Sequence, residues 1–428
     1  MKIASRRLRG LVASAMAVAG IAVPAISALP ANAATELTVW SWRTEDKAFY
    51  ESQIVKFEAK NPGITVKFTP YLNTEYNAIA STALTAGKGP DILQMRPYGG
   101  MANLSDAGNF LALTVKDVPA LGKLQAGILA AAQGYKDKKQ YGFPYAISAM
   151  GIYYNPEILQ KAGVKALPTN WEQLMIAFNK VKAIGVLPLG NAGGNGPALE
   201  QLHASVGPTF YGGTQFFNDV VSGKKTFTDK AYVASLQAVK DLAAYMPPGF
   251  EGIDYNTARA LFANEKAAFY IGGNYELGYF RSLNPSLQAG WIPPVAKITG
   301  APRYVSTWAD GAFAINAKTE NKAAALKFLN FMTTKDFGQA LVDDIAFIPT
   351  APFVKITDPV VKAINKSRSS IGTPFLNVVG FRYETPTSSN ILQPGFQKLI
   401  VGAITPEQLA KDVQTAVSSW YAPQKGKS

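Results

Sequence analysis

Leu37-Thr-Val-Trp-Ser41, Ile64-Thr-Val-Lys-Phe68 and Asp91-Ile-Leu-Gln-Met95, together with the residues that join them, form the stretch that decides the fold of this chain. The three quoted runs are short and β-prone, and the second alternates apolar with polar side chains at the two-residue period of a strand. Between the first two, residues 45–60 place Tyr50, Ile54 and Phe57 at helical spacing until Asn61-Pro62-Gly63 stops them. Between the second and third, residues 73–86 carry Tyr76, Ile79, Ala80, Ala83 and Leu84 on one helical stripe, which Gly87-Lys-Gly-Pro90 ends. A β-α-β-α-β order implies a mostly parallel sheet with right-handed crossovers, an α/β architecture.

The alternation continues downstream. Gly142-Phe-Pro144 and Gly151-Ile-Tyr-Tyr-Asn155 bracket an expected change of domain. Pro156 to Ala162 reads as a short helix and Trp171 to Ile184 as a longer one. Residues 232–246 repeat Leu236, Val239, Leu242, Ala243 and Met246 at helical spacing, Ala267 to Ile271 is strand-like, and Ala323 to Met332 and Pro406 to Trp420 are amphipathic helices. The segments 187–200 and 205–214, rich in Gly, Pro and Asn, read as loops long enough to suspect function.

Upstream, the first 33 residues do not read as part of a fold. Lys2, Arg6, Arg7 and Arg9 precede the apolar run Leu11 to Val23, and Ala31-Asn32-Ala33 supplies a small-x-small cleavage pattern. The apolar run is shorter than the ~20 residues of a spanning helix, so a cleaved signal peptide is expected over a membrane anchor. With the four cations of that segment gone, 38 basic residues face 29 acidic ones. They are spread singly along helices and loops, which fits a solvated basic surface better than a nucleic-acid interface. The chain has no cysteine, so disulfides, thiolate metal sites and a lipid-modified cysteine are excluded. Without a lipid or a spanning helix, the exported protein is expected free in a periplasm. About 395 residues exceed one ordinary core, so two domains are expected.

Several segments carry a resemblance. Tyr141-Gly-Phe-Pro144 followed by Gly151-Ile-Tyr-Tyr-Asn-Pro-Glu-Ile-Leu-Gln-Lys-Ala-Gly163 is the most specific. Phe57-Glu-Ala-Lys-Asn-Pro-Gly-Ile-Thr-Val66, Gly89-Pro-Asp-Ile92, Lys266-Ala-Ala-Phe-Tyr-Ile-Gly-Gly273 and Asp310-Gly-Ala-Phe-Ala-Ile-Asn316 accompany it in order. Together they resemble family 1 of the extracellular solute-binding proteins, the maltose-binding-protein-like receptors of ABC sugar importers. The resemblance implies a type II two-lobe periplasmic-binding-protein fold: two α/β lobes, each a mostly parallel sheet flanked by helices, joined by a hinge of short strands. It places 34–143 plus 305–350 in an N-terminal lobe and 144–304 plus 351–428 in a C-terminal lobe. It also implies a ligand cleft between lobes that close on a sugar, and a permease with its ATPase as partners of a monomeric receptor that needs no cofactor and no metal.

A pyranose offers apolar C–H faces and a rim of hydroxyls, so its site needs aromatic platforms with planar donors and acceptors. Where the family's cleft loops fall, this chain has Trp42, Arg43 and Glu45; Gln94, Arg96 and Tyr98; Tyr145 with Ser148; Asn274, Tyr275 and Glu276; Trp308 and Asp310; and Arg382 with Glu384. Trp308 and Tyr275 stand out as loop aromatics, while Asn195, Glu200 and His203 rank below the rest. Arg43, Arg96 and Arg382 are able to meet on one anionic group, which makes an acidic sugar a possible ligand. Alternatively, they donate to hydroxyls or pair with Glu45, Asp46 and Glu384. The rival reading is an exported carbohydrate hydrolase with paired carboxylates. His203 is the only histidine, Gly-x-Ser-x-Gly is absent, and Gly190-Asn-Ala-Gly-Gly-Asn-Gly196 lacks the Gly-Lys-Ser/Thr ending of a phosphate loop.

Overall fold

The computed structural model describes residues 35–350 and 354–427, so the expected signal peptide lies outside the described residues. Among the described residues there are ten strands: β1 (Thr35–Ser41), β2 (Ile64–Pro70), β3 (Ile92–Met95), β4 (Phe143–Tyr154), β5 (Leu187–Leu189), β6 (Ala267–Gly273), β7 (Gly290–Ile292), β8 (Val305–Ile315), β9 (Ile348–Pro349) and β10 (Gly372–Pro374). They follow the order β2-β1-β3-β8-β4-β6-β5, with β9 and β7 on β4 and β10 on β8. The first three strands pair in parallel, and the helices Lys47–Lys60 and Tyr76–Thr85 cross between them as the opening stretch predicts.

The two long strands make the crossing. Through Ala149, β4 pairs antiparallel with β8; from Met150 it pairs with β6 instead. The two segments read from sequence as flanking a boundary are therefore the two ends of one continuous strand. All of its residues are buried except Tyr154, because both faces are covered by packed elements. Gly151 is required there, since a Cβ would lie 2.2 Å from the Trp291 ring carried by β7. Two large apolar cores lie on either side of the crossing. One gathers Tyr50, Phe57, Phe313 and Phe328; the other gathers Phe178, Leu236, Phe269 and Phe396. A third, with Tyr153, Phe280 and Ile364, lies along the junction.

Both segments expected as loops are corrected: of 187–200 only residues 190–195 are loop, since Leu187–Leu189 forms β5 and the helix Gly196–Tyr211 takes up the rest. Residues 205–214 are not a loop: they continue the helix Gly196–Tyr211 and open the next, Gly213–Val221. Gly207 and Pro208 suggest a break on propensity alone. Burial of Leu199, Leu202 and Val206 outweighs that preference. Pro208 has no N–H for the Ala204 carbonyl, and the Ser306 hydroxyl of β8 donates to that oxygen instead at 2.7 Å. Among the described residues, no helix is long and apolar enough to cross a membrane.

Candidate ligand-binding cleft

A cleft of about 780 Å³ opens beside the strand crossing. One wall comes from the end of β1, the residues following β2 and the residues following β3. The other comes from the starts of the helices Gly196–Tyr211 and Ser388–Ile400 and from residues 375–382. Of the residues expected from sequence, Trp42, Arg43, Arg96, Tyr275, Trp308, Asp310 and Arg382 line it, as does Asn195.

The floor is aromatic. Trp308 meets Phe375 edge-on at 5.1 Å and Tyr275 at 6.4 Å, and the Tyr275 hydroxyl donates to Gln201 Oε1 at 2.7 Å. Trp308 and Tyr275 are not the exposed loop aromatics expected. Trp308 and Asp310 stand within β8, and Trp308 and Tyr275 are both buried. Trp308 faces the cleft with Asp310 because the strand alternation turns the two to the same side, and Tyr275 reaches it from the turn after β6. Asp310 is oriented by Ser148, whose hydroxyl donates to Oδ1 at 2.8 Å, and by Tyr145, whose hydroxyl donates to Oδ2 at 3.4 Å.

Eight residues expected at the cleft loops do not line the cleft, nor do the lower-ranked Glu200 and His203. Tyr145 and Ser148 act through Asp310, and Gln94 donates from Nε2 to the Tyr145 hydroxyl at 2.6 Å. Asn274 accepts from Ala149 N–H at 2.9 Å and donates to the Ile147 carbonyl at 3.2 Å, bracing β4 at the crossing. Tyr98 sits at positive φ (56°) before the helix Gly99–Asp106; its hydroxyl accepts from Ala309 N–H at 3.4 Å, and burial pushes its pKa up to about 12. Glu45 and Glu276 face Arg259 at 3.4 and 3.7 Å. Burial raises the Glu276 carboxyl above its ordinary value, only partly opposed by Arg259 and by the Tyr255 hydroxyl, which donates to it at 2.7 Å. Glu384 is exposed and off the cleft, and His203 is buried in the core near Tyr232 and Phe396.

The three arginines do not meet on one open point. Arg43 is ion-paired with Asp46 and lies 3.5 Å from Glu45. Burial works against its charge, but Asp46 and Glu45 outweigh it and hold its pKa well above the ordinary value. Arg382 bonds Glu200 at 2.8 Å, not Glu384. Buried Glu200 also accepts from Ser389 Oγ at 2.6 Å and from Gln393 Nε2 at 2.8 Å, so one carboxylate steadies three cleft-lining side chains. The Thr387–Asn390 capping box starts the helix that carries Ser389 and Gln393 four apart on one face. Arg96 alone of the three has no carboxylate within 4 Å among the described residues. Its guanidinium lies 4.0 Å over Trp42, and burial brings its pKa down to about 10.

Sequence reasoning missed the amides. Asn73, Asn77, Gln201, Asn390 and Gln393 line the cleft, with Tyr255 and Phe375. The i, i+4 spacing of Asn73 and Asn77 and the Thr387-Ser-Ser-Asn390 cap were the available signals, but amides on helix ends look like ordinary surface residues. Among the described residues, no three His, Cys, Asp or Glu side chains gather as a metal site requires.

Comparison with known proteins gives a consistent picture. The model of the bacterial extracellular solute-binding protein family matches residues 40–339. A multiple sugar-binding protein of Streptococcus mutans is 28% identical over 300 residues, covering 68% of this chain and 69% of that protein. The putative ABC transporter periplasmic-binding protein YcjN of Escherichia coli is 26% identical over 313 residues, covering 71% and 70%. Among solved structures, a chitin oligosaccharide binding protein superposes with a TM-score of 0.77 at 23% identity over 91% of this chain and 99% of that one. The solute-binding protein RafE in complex with raffinose superposes with a TM-score of 0.75 at 19% identity over 91% and 100%.

Proposed function

The chain belongs to the bacterial extracellular solute-binding protein family, and on that premise we propose that it captures a sugar in the interlobe cleft and delivers it to the permease of an ATP-driven importer. The observation that carries this reading is the cleft wall itself. Trp308, Tyr275 and Phe375 offer apolar faces, and Asn73, Asn77, Gln201, Asn390, Gln393 and Asp310 offer planar donors and acceptors for hydroxyls. The relatives named as sugar-binding support the same ligand class. Two of the three cleft arginines are already neutralised inside the protein, which favours a neutral sugar over an acidic one. Asp310 is the one carboxylate lining the cleft among the described residues, so hydrolysis by paired carboxylates lacks its second group there.

We take 34–143 with 305–350 as one lobe and 144–304 with 351–428 as the other, and we place the mature protein in the periplasm as a monomer after cleavage behind Ala33. A thermal-shift screen against neutral and acidic oligosaccharides tests the function. A neutral sugar is expected to raise the melting temperature, by about 2.7 kcal/mol of added stability at a hundredfold excess over Kd, and to be recovered unconsumed. Turnover of the sugar, or preference for its acidic counterpart, overturns the respective part of the reading.

On this lobe assignment, Glu45 of one lobe meets Arg259 of the other, and Arg43 Nη2 donates to the Tyr275 carbonyl across the same junction at 3.5 Å. Arg259 lies 3.4 Å from the Tyr279 ring centre, a geometry suited to a guanidinium held in place. These contacts favour the closed arrangement before any ligand arrives. Replacing Glu45 with glutamine is expected to shift the ligand-free protein toward the open form and to weaken apparent affinity about 3- to 10-fold. Small-angle scattering on the ligand-free pair checks this; identical profiles rule out the latch.

A further inference from the structure

Trp42 lines the cleft and is nevertheless 2% exposed. The end of its six-membered ring lies against Gly311, where a Cβ would be 2.6 Å from Cη2, and Tyr76 meets it edge-on at 5.7 Å. Over the indole lies the Arg96 guanidinium, 4.0 Å from the ring centre. That group is not waiting for a ligand. Its Nε–H donates to Asn77 Oδ1 at 3.2 Å, and Nη2 donates to the Asn73 carbonyl at 3.3 Å and to Asn73 Oδ1 at 2.9 Å. Three of the five guanidinium donors are therefore spent on Asn73 and Asn77, which fixes the guanidinium over the indole.

We propose that Arg96 caps a latent stacking platform: its guanidinium occupies the place over Trp42 that a pyranose ring would take, so the cleft ends one sugar unit short and Arg96 sets the length of ligand admitted. The proposal rests on the sugar-receptor reading. A guanidinium and a pyranose compete for the same indole face, since both dock on it through flat contact and polar edges. Nη1 makes no hydrogen bond among the described residues, which leaves its donors for the terminal hydroxyls of the last unit admitted. Arg96 is thus a specificity-determining residue, and Trp42 is a platform only in its absence.

Two measurements test this, on Arg96→Ala and, should that variant fold poorly, on Arg96→Gln, which keeps a donor for Asn73 and drops the guanidinium plane. Without ligand, acrylamide quenching is expected to reach one more of the six tryptophans than in the parent, and to lose that increment in the Arg96→Ala/Trp42→Phe double variant. Unchanged quenching overturns the cap. With raffinose and stachyose, which differ by one galactosyl unit, the affinity ratio is expected to move about tenfold toward the longer sugar, and only while Trp42 is present. An equal loss of affinity for both sugars overturns the proposal and makes Arg96 an ordinary ligand donor. Failure of both sugars to bind either protein counts against the sugar-receptor reading; the quenching arm still decides the cap.

Discussion

Replacing Trp308 with alanine is expected to weaken sugar binding by about 10²- to 10³-fold, the scale of a buried tryptophan anchor. Trp308 stands at the centre of the cleft floor, between Phe375 and Tyr275, and shares the wall with Asp310 two residues along β8. Its loss removes the broadest apolar face and leaves Tyr275 without its edge contact. The substitution also opens a cavity in a buried site, so the melting temperature of the ligand-free variant is measured alongside. Trp308→Phe keeps an aromatic face and separates the two effects; it is expected to retain most of the stability and to lose about tenfold in affinity. Isothermal titration decides the matter. Near-parental affinity in Trp308→Ala places the ligand elsewhere on the cleft wall.

The second large effect concerns stability. His203 is the only histidine of the chain and is 1% exposed, and burial holds its pKa down to about 3, against an ordinary value of 6.5. Ser235 Oγ donates to the Tyr232 carbonyl, so its oxygen accepts from His203 Nε2, which carries the proton of the neutral ring. Between those two pKa values the unfolded chain takes up a proton that the native chain refuses. The contribution of His203 to stability is therefore intact above about pH 6.5 and declines as the pH falls from there toward about 3. The slope is roughly 1.4 kcal/mol per pH unit, giving a loss of about 2.5–3 kcal/mol at pH 4.5, or about a hundredfold in the folding constant. His203→Gln, which keeps a donor for Ser235, should remove this part of the acid sensitivity. In the native protein, the single histidine signal in proton NMR should stay unshifted from pH 8 to about 4.5. A native-state titration near pH 6.5 contradicts the assignment.

The candidate site was legible in proportion to how far a residue's role depends on its neighbours in sequence. Trp42, Arg43, Arg96 and Tyr275 follow strand ends, Trp308 and Asp310 lie within β8, and Arg382, matched by position only, follows a helix; all seven line the cleft. Gln94, Tyr145 and Ser148 stand at comparable positions but are buried and spend their polar groups inside the protein: Ser148 and Tyr145 on Asp310, and Gln94 on Tyr145 and Ser41. Arg382 was left open by the sequence to an anionic group, sugar hydroxyls or Glu384, two residues away. It pairs instead with Glu200, 182 residues away, because the helix Gly196–Tyr211 packs directly behind the helix that bears Ser389.

Periodicity and punctuation by glycine and proline determined on their own that this is an α/β chain with parallel strands at its start, and the absence of cysteine that it holds no disulfide, for those features are local or compositional. The tertiary structure alone decided which charges are spent. Arg43, Arg96 and Arg382 have the same chemistry in the sequence, yet the first is consumed by Asp46, the last by Glu200, and the middle one lies flat on Trp42. Desolvation and the distance between opposite charges set those outcomes, and both depend on which distant segments the fold brings within a few ångströms.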